Sequence, residues 1–135
     1  MKKLFVDTGA FLAKEIVADQ HHRDAVMFWT QIADGGFRLY STEHVLDETA
    51  TLLGRRVHYA WAADWGGDVL AAGIEWLSAL PDDYQEAFKL MRKFADQGVS
   101  YTDCVSFTLM KRENIREVFA FDQHFSAAGF RVKPS

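Results

Sequence analysis

With a single cysteine, Cys104, the chain has no partner for an internal disulfide, which fits a reducing compartment such as the cytoplasm. No apolar run approaches the length of a membrane span. Met1-Lys2-Lys3 is followed by only three apolar residues before Asp7, too few for the hydrophobic segment of a signal peptide. Positive charge is also scarce. The formal net charge is −4, so there is no general basic field of the kind that coats nucleic acid. This counts against a simple DNA-coating protein and leaves room for a nuclease whose positive charge comes from bound metal. The 135 residues, 49% hydrophobic and 25% charged, read as one globular domain, 1–135, long enough for a proper core.

Four short stretches that carry acids stand out. Leu4-Phe5-Val6 runs straight into Asp7-Thr8-Gly9, and a buried strand there would deliver Asp7 to the carboxyl edge of a sheet. Val45-Leu46-Asp47-Glu48, Tyr101-Thr102-Asp103 and Ala120-Phe121-Asp122 follow along the chain.

Strands are expected at residues 3–7, 37–40, 74–77, 118–121 and, short and at an edge, 130–132. Between them lie helices at 10–18, capped by Thr8, and at 22–34, stopped by Gly35-Gly36. A third is capped by Ser41 or Thr42 and carries Val45, Leu46, Thr49, Leu52 and Leu53 as its apolar stripe. Another is opened by Pro81, runs to about Asp96 and is ended near Gly98, and the last, 103–113, is capped by Thr102. Residues 55–73 read as a helix pair or a kinked helix, broken at Gly66-Gly67. Strands separated by helices imply βαβ units, a mainly parallel sheet and helices on both faces, an α/β fold.

On the third helix Glu48 flanks the apolar stripe while Asp47 points toward solvent, which selects Glu48 as the inward carboxylate. Asp7 and Asp122 both end apolar strands and so share one sheet edge. Asp103 opens the helix that leads into the Asp122 strand, which reads as lying toward the opposite edge unless its N-terminus leans over the crevice. Each acid alone has an ordinary explanation as a turn former, a surface residue or a partner of the helix dipole. Together they would repel one another unless a cation neutralised them. Oxygen-only ligands without a Cys/His set point to Mg²⁺ or Mn²⁺ rather than zinc, and to in-line phosphodiester hydrolysis.

Phe5-Val6-Asp7-Thr8, Val45-Leu46-Asp47-Glu48-Thr49, Tyr101-Thr102-Asp103-Cys104-Val105-Ser106-Phe107 and Phe121-Asp122-Gln123-His124-Phe125, followed by Gly129-Phe130, resemble the successive motifs of PIN-domain nucleases. The match is nearest to the VapC-type toxins of toxin–antitoxin pairs, and it is weakest over residues 55–75. The resemblance implies a five-stranded parallel α/β/α sandwich and a Mg²⁺- or Mn²⁺-dependent endoribonuclease. It assigns metal binding to Asp7, Glu48 and Asp103, with Asp122 binding directly or through water, and supporting positions to Thr8 and Thr102. It implies an antitoxin that inserts a segment into the acidic crevice, and pairing of two copies through helices near residues 55–75. Two other readings stay open: a PIN nuclease of RNA processing or DNA repair without an antitoxin, and a receiver-like acidic domain. A phosphatase with a nucleophilic Asp is disfavoured, because Gly9 stands two residues after Asp7 where a second Asp is needed.

Arg55 and Arg56, near Tyr59, Trp61 and Trp65, offer a phosphate-binding and stacking surface for single-stranded RNA. Packing of those aromatics in the core or against a second copy is the favoured alternative. Lys89, Arg92 and Lys93 read as a solvated helical face. His21, His22, His44, His58 and His124 show no ligand spacing with one another and are assigned structural or exposed roles, His124 shaping the turn after Asp122. Cys104 reads as a small core residue.

Overall fold

A computed structural model describes residues 1–135. Strands β1 (Lys2–Val6), β2 (Phe37–Thr42), β3 (Glu75–Leu77), β4 (Glu117–Phe119) and β5 (Arg131–Lys133) form one sheet in the order β3-β2-β1-β4-β5, every pair parallel. Seven α-helices connect and cover them: α1 (Thr8–Glu15), α2 (His22–Ala33), α3 (Glu43–Arg56), α4 (Tyr59–Leu70), α5 (Pro81–Lys93), α6 (Tyr101–Arg112) and α7 (His124–Ala127).

β1 is central because it is apolar on both faces. Leu4, Phe5 and Val6 are all fully buried. Phe5 packs toward Phe125, which meets Phe107 of α6 edge-on at 5.0 Å. Residues of α1, α2 and α4 line the other face, where Phe11 meets Trp29, Trp65 and Trp76 at 5.7–6.1 Å. Truncating Phe5 to alanine at this junction would cost about 3–5 kcal/mol. After β1, the chain builds outward through β2 and β3, then crosses back to place β4 on the other side. The strand order therefore switches between β1 and β4, the place where open α/β sheets form their ligand crevice.

Several boundaries differ from the sequence expectations. α1 stops at Glu15 rather than Ala18, because Ile16 is already extended. The chain then reverses through a turn in which the His21 N–H donates to Asp19 Oδ1 at 2.8 Å. Thr8 does not cap α1: it is the first helical residue, and Asp7 occupies the cap position. Thr102 likewise lies inside α6, and Ser100 Oγ accepts from the Asp103 N–H at 3.1 Å instead. Thr42, one of the two expected caps, does cap α3, accepting from the Val45 N–H at 3.0 Å.

The helix pair expected within residues 55–73 is not formed: after the end of α3 the chain breaks at Val57-His58, and the single helix α4 runs unbroken through Gly66-Gly67. Gly54, in the last turn of α3, lies under the ring of Tyr59 from the start of α4. A Cβ there would stand 2.4 Å from Tyr59 Cδ1, so only glycine lets the Tyr59 ring close over the end of α3. β4 ends at Phe119, two residues short of expectation, and leaves Asp122 in a turn. No helix is long and apolar enough to cross a membrane.

Candidate metal centre at the carboxyl edge

Asp7 is held where β1 becomes α1. Its N–H donates to Phe119 O at 3.1 Å, extending the β1–β4 ladder to the last residue before the turn, and its carbonyl accepts from Ala10 N at 3.1 Å. Ser41 Oγ donates to Val6 O at 2.7 Å and ties the ends of β1 and β2 together. The side chain is thus aimed by three segments of fixed backbone. Glu48 arrives from α3, which starts at the same edge, and faces inward while Asp47 is exposed.

Asp103 comes from the first turn of α6, and no leaning of that helix is required. A helix that precedes a parallel strand runs antiparallel to it, so its N-terminus lies at the carboxyl edge and its C-terminus at the amino edge. The opposite placement expected from sequence is therefore corrected by the polarity of the βαβ unit. Asp122 sits just past β4, with its Oδ1 accepting from the His124 N–H at 3.0 Å, the local turn that its sequence position allows.

These four carboxylates line one open crevice of about 460 Å³, together with Thr8, Gly9, Gln20, His21, Ser100 and Phe121. Thr102 is absent from the lining, and Ser100 takes its place. Arg55 and Arg56 are not brought to the crevice. They are exposed in the last turn of α3, roughly 10–12 Å along the helix axis from Glu48. Trp65 is buried, as the packing alternative held, whereas Tyr59 and Trp61 remain exposed.

Burial and mutual repulsion both disfavour charge on these acids. Burial, then repulsion from Asp103, Asp122 and Glu48, holds the Asp7 carboxyl well above the usual carboxylate range, with only the Thr8 N–H acting the other way. Burial and Asp122 push Asp103 up to about 6, against the lowering influence of His124. Asp7 Oδ1 is buried and makes no hydrogen bond within the protein, and neither does the neighbouring Thr8 Oγ1. Unpartnered buried oxygens of this kind are uncommon, and both of these belong to residues that line the crevice.

His124 shapes the turn after Asp122, as its position in the sequence suggests, and its ring also reaches the acids. Its Nδ1 lies 3.2 Å from Asp103 Oδ2, with the ring N–H donating to the carboxylate. One ligand atom each from Asp103, Asp122 and His124 lie within 4.8 Å of one another, so these residues could hold a metal ion together. A lone histidine reaching back 21 residues leaves no spacing pattern in the sequence.

Acids converging beside the switch point of a parallel α/β sheet form a site that could hold a divalent cation. Residues 4–131 match the PIN-domain family, and the chain belongs to it, standing among the VapC-type nucleases. The chain is 31% identical over 132 residues to the 23S rRNA-specific endonuclease VapC20 of Mycobacterium tuberculosis, covering 97% of this chain and 98% of that one. The crystal structure of that protein, described as a sarcin–ricin-loop-cleaving toxin, matches with a TM-score of 0.84 at 30% identity, over 94% of this chain and 95% of that one. A VapC ribonuclease of Archaeoglobus fulgidus is 29% identical over 126 residues, 90% of this chain and 78% of that one. The VapBC2 structure from Rickettsia felis, bound to a promoter DNA fragment, shares the fold with a TM-score of 0.68 at 9% identity over 97% of both chains.

Proposed function

We propose that this chain is a divalent-cation-dependent endoribonuclease and the toxin of a toxin–antitoxin pair, with Asp7, Glu48, Asp103 and Asp122 as its metal-holding acids. The observation that carries the reading is Asp7, a buried carboxylate with one oxygen left unpartnered among three other acids. Its donor set is all oxygen apart from His124, which suits Mg²⁺ or Mn²⁺. Bound there, such an ion supplies charge neutralisation and Lewis acidity at a phosphodiester.

The protein's own part is placement. β1 and β2 fix Asp7 rigidly, Ser100 fixes the first turn of α6 beneath Asp103, and His124 holds one Asp103 oxygen so that the other faces the crevice. Thr8 supplies a hydroxyl beside Asp7. Attack by water then cleaves the phosphorus–oxygen bond to the leaving sugar. RNA is the substrate suggested by the VapC relatives, and ribosomal RNA is the first to try, since VapC20 is described as 23S rRNA-specific.

An acidic crevice without a lysine or arginine in its lining is complementary to an antitoxin segment carrying Arg or Lys. Homodimerisation belongs to the same proposal. Tyr59 and Leu70 on α4, and Tyr84, Phe88 and Met91 on α5, offer exposed apolar faces, and light scattering of wild type against Phe88→Glu tests the second of them.

The test of the enzyme is cleavage of an RNA panel, ribosomal fragments included, in Mg²⁺, Mn²⁺ or EDTA. Wild type cuts only with metal, and Asp7→Asn and Asp103→Asn do not cut. Activity that survives both substitutions would sink the site assignment.

A further inference from the structure

We infer that His21 and Phe121 form a nucleobase platform at the rim of the acidic crevice, with Gln20 placed to read the edge of the stacked base. The inference rests on the nuclease reading and adds the means by which the site holds its substrate. The two rings lie 4.4 Å apart and within 3° of parallel. Behind them Phe119 meets Phe121 at 5.9 Å and 71°, and Trp29 meets Phe119 at 5.2 Å. This ring series runs from a fully buried residue, Phe119, to two half-buried ones that line the crevice. The platform is also pre-set. The His21 N–H is held by Asp19 Oδ1 at 2.8 Å, and the next residue, His22, places its Nδ1 2.7 Å from Ala13 O.

Electrostatics say why such a platform is needed. Four carboxylates and no Lys or Arg line the crevice, so a polyanion gains no ionic attraction from the surrounding side chains. Stacking is indifferent to that charge, and every base has a π-face to offer. Phe121 is the one apolar residue among the ten that line the crevice, and it is adjacent to Asp122. A base seated on His21 would therefore leave its own phosphate beside the acids. The exposed Gln20 amide, with donors and an acceptor, suits an unpaired base edge. The substrate this geometry favours is a nucleotide unstacked from its neighbours, in a loop or single strand.

The test compares wild type, His21→Ala and His21→Tyr on one RNA that the wild type cuts, and on the same RNA made abasic in turn at each nucleotide flanking the cut. His21→Ala is expected to lower kcat/KM by about tenfold on intact RNA, a typical loss for one base–aromatic stack. It should lose little further on the RNA abasic at the seated position, while the wild type loses about tenfold there. His21→Tyr should restore most of the rate, and Mn²⁺ affinity by calorimetry should be the same in all three. Wild-type rates in His21→Ala on intact RNA would overturn the platform, as would losses that simply multiply for variant and abasic substrate at every position. Asp7→Asn run alongside separates the two readings. If it cuts RNA, the nuclease site is wrong and the platform falls with it; if it is inert and His21→Ala is unaffected, only the platform is wrong.

Discussion

Asp83 and Asp7 each stand at the beginning of a helix, and each is buried, 9% and 4% exposed. Asp83 is partnered by a cation and an N–H of the protein itself. One of its oxygens accepts from the Leu80 N–H at 2.8 Å and pairs with the Arg112 guanidinium, which also reaches Ser78 O. It thereby fastens the start of α5 to the end of α6. Asp7 has no cation of the protein's own beside it, three acids around it and an oxygen without a hydrogen bond. A carboxylate that serves the fold is completed by the fold. One kept incomplete costs stability, and that cost is retained where an external cation completes the site.

The sharpest way to break this contrast is to remove both charges. Asp7→Asn is expected to lower RNA cleavage by at least about a thousandfold, in keeping with loss of a group central to transition-state stabilisation, while raising the melting temperature of the metal-free protein. Asp83→Asn should do the reverse. Arg112 loses its buried partner, and stability falls by about 2 kcal/mol in denaturant titrations, less than for a deeply buried pair because Arg112 is about one-third exposed. Cleavage per folded molecule should be unchanged.

The pH dependence of metal-free stability sharpens the same point. The Asp103 carboxyl is raised from 3.8 to about 6, so the folded protein keeps a proton that the unfolded chain has already lost. Its contribution is therefore most favourable below about pH 4 and declines as pH rises to about 6, by on the order of 3 kcal/mol in all. Urea titrations at pH 4.5 and 7.5 should show Asp103→Asn gaining on wild type at the higher pH. An equal gap at both would leave Asp103 an ordinary carboxylate. The smallest effect is expected at Arg55 and Arg56, far along α3 from the crevice. Alanine there should weaken RNA binding by no more than about threefold at low salt, the scale of one or two exposed phosphate contacts, and leave metal affinity intact.

Much of the site was legible in the sequence because strand ends are. An apolar run stopping at Asp7 or shortly before Asp122 fixes an edge, and helical periodicity turns Glu48 inward and Asp47 out. Asp103 was harder only through the polarity of its helix, which the antiparallel run of a βαβ crossover resolves. Cap positions slipped by one or two residues, to Asp7 and Ser100: at α6 neighbouring Ser and Thr compete for the same N–H groups, while at α1 the side chain of Asp7 makes no cap hydrogen bond. The break between α3 and α4 was misplaced because Gly66-Gly67 looks like a stop, whereas it lies within α4. The contact of His124 with Asp103 and the His21–Phe121 stack arise from chain segments 21 and 100 residues apart, and nothing local announces them.

The most direct test of the Asp7 carboxylate is thermal unfolding of wild type and Asp7→Asn during a Mn²⁺ titration. The wild type should start lower and climb with metal, as a ligand bound only by the folded state requires. Asp7→Asn should start higher and gain little. A wild-type melting temperature indifferent to Mn²⁺, with Asp7→Asn less stable throughout, would make Asp7 a structural residue and contradict the account.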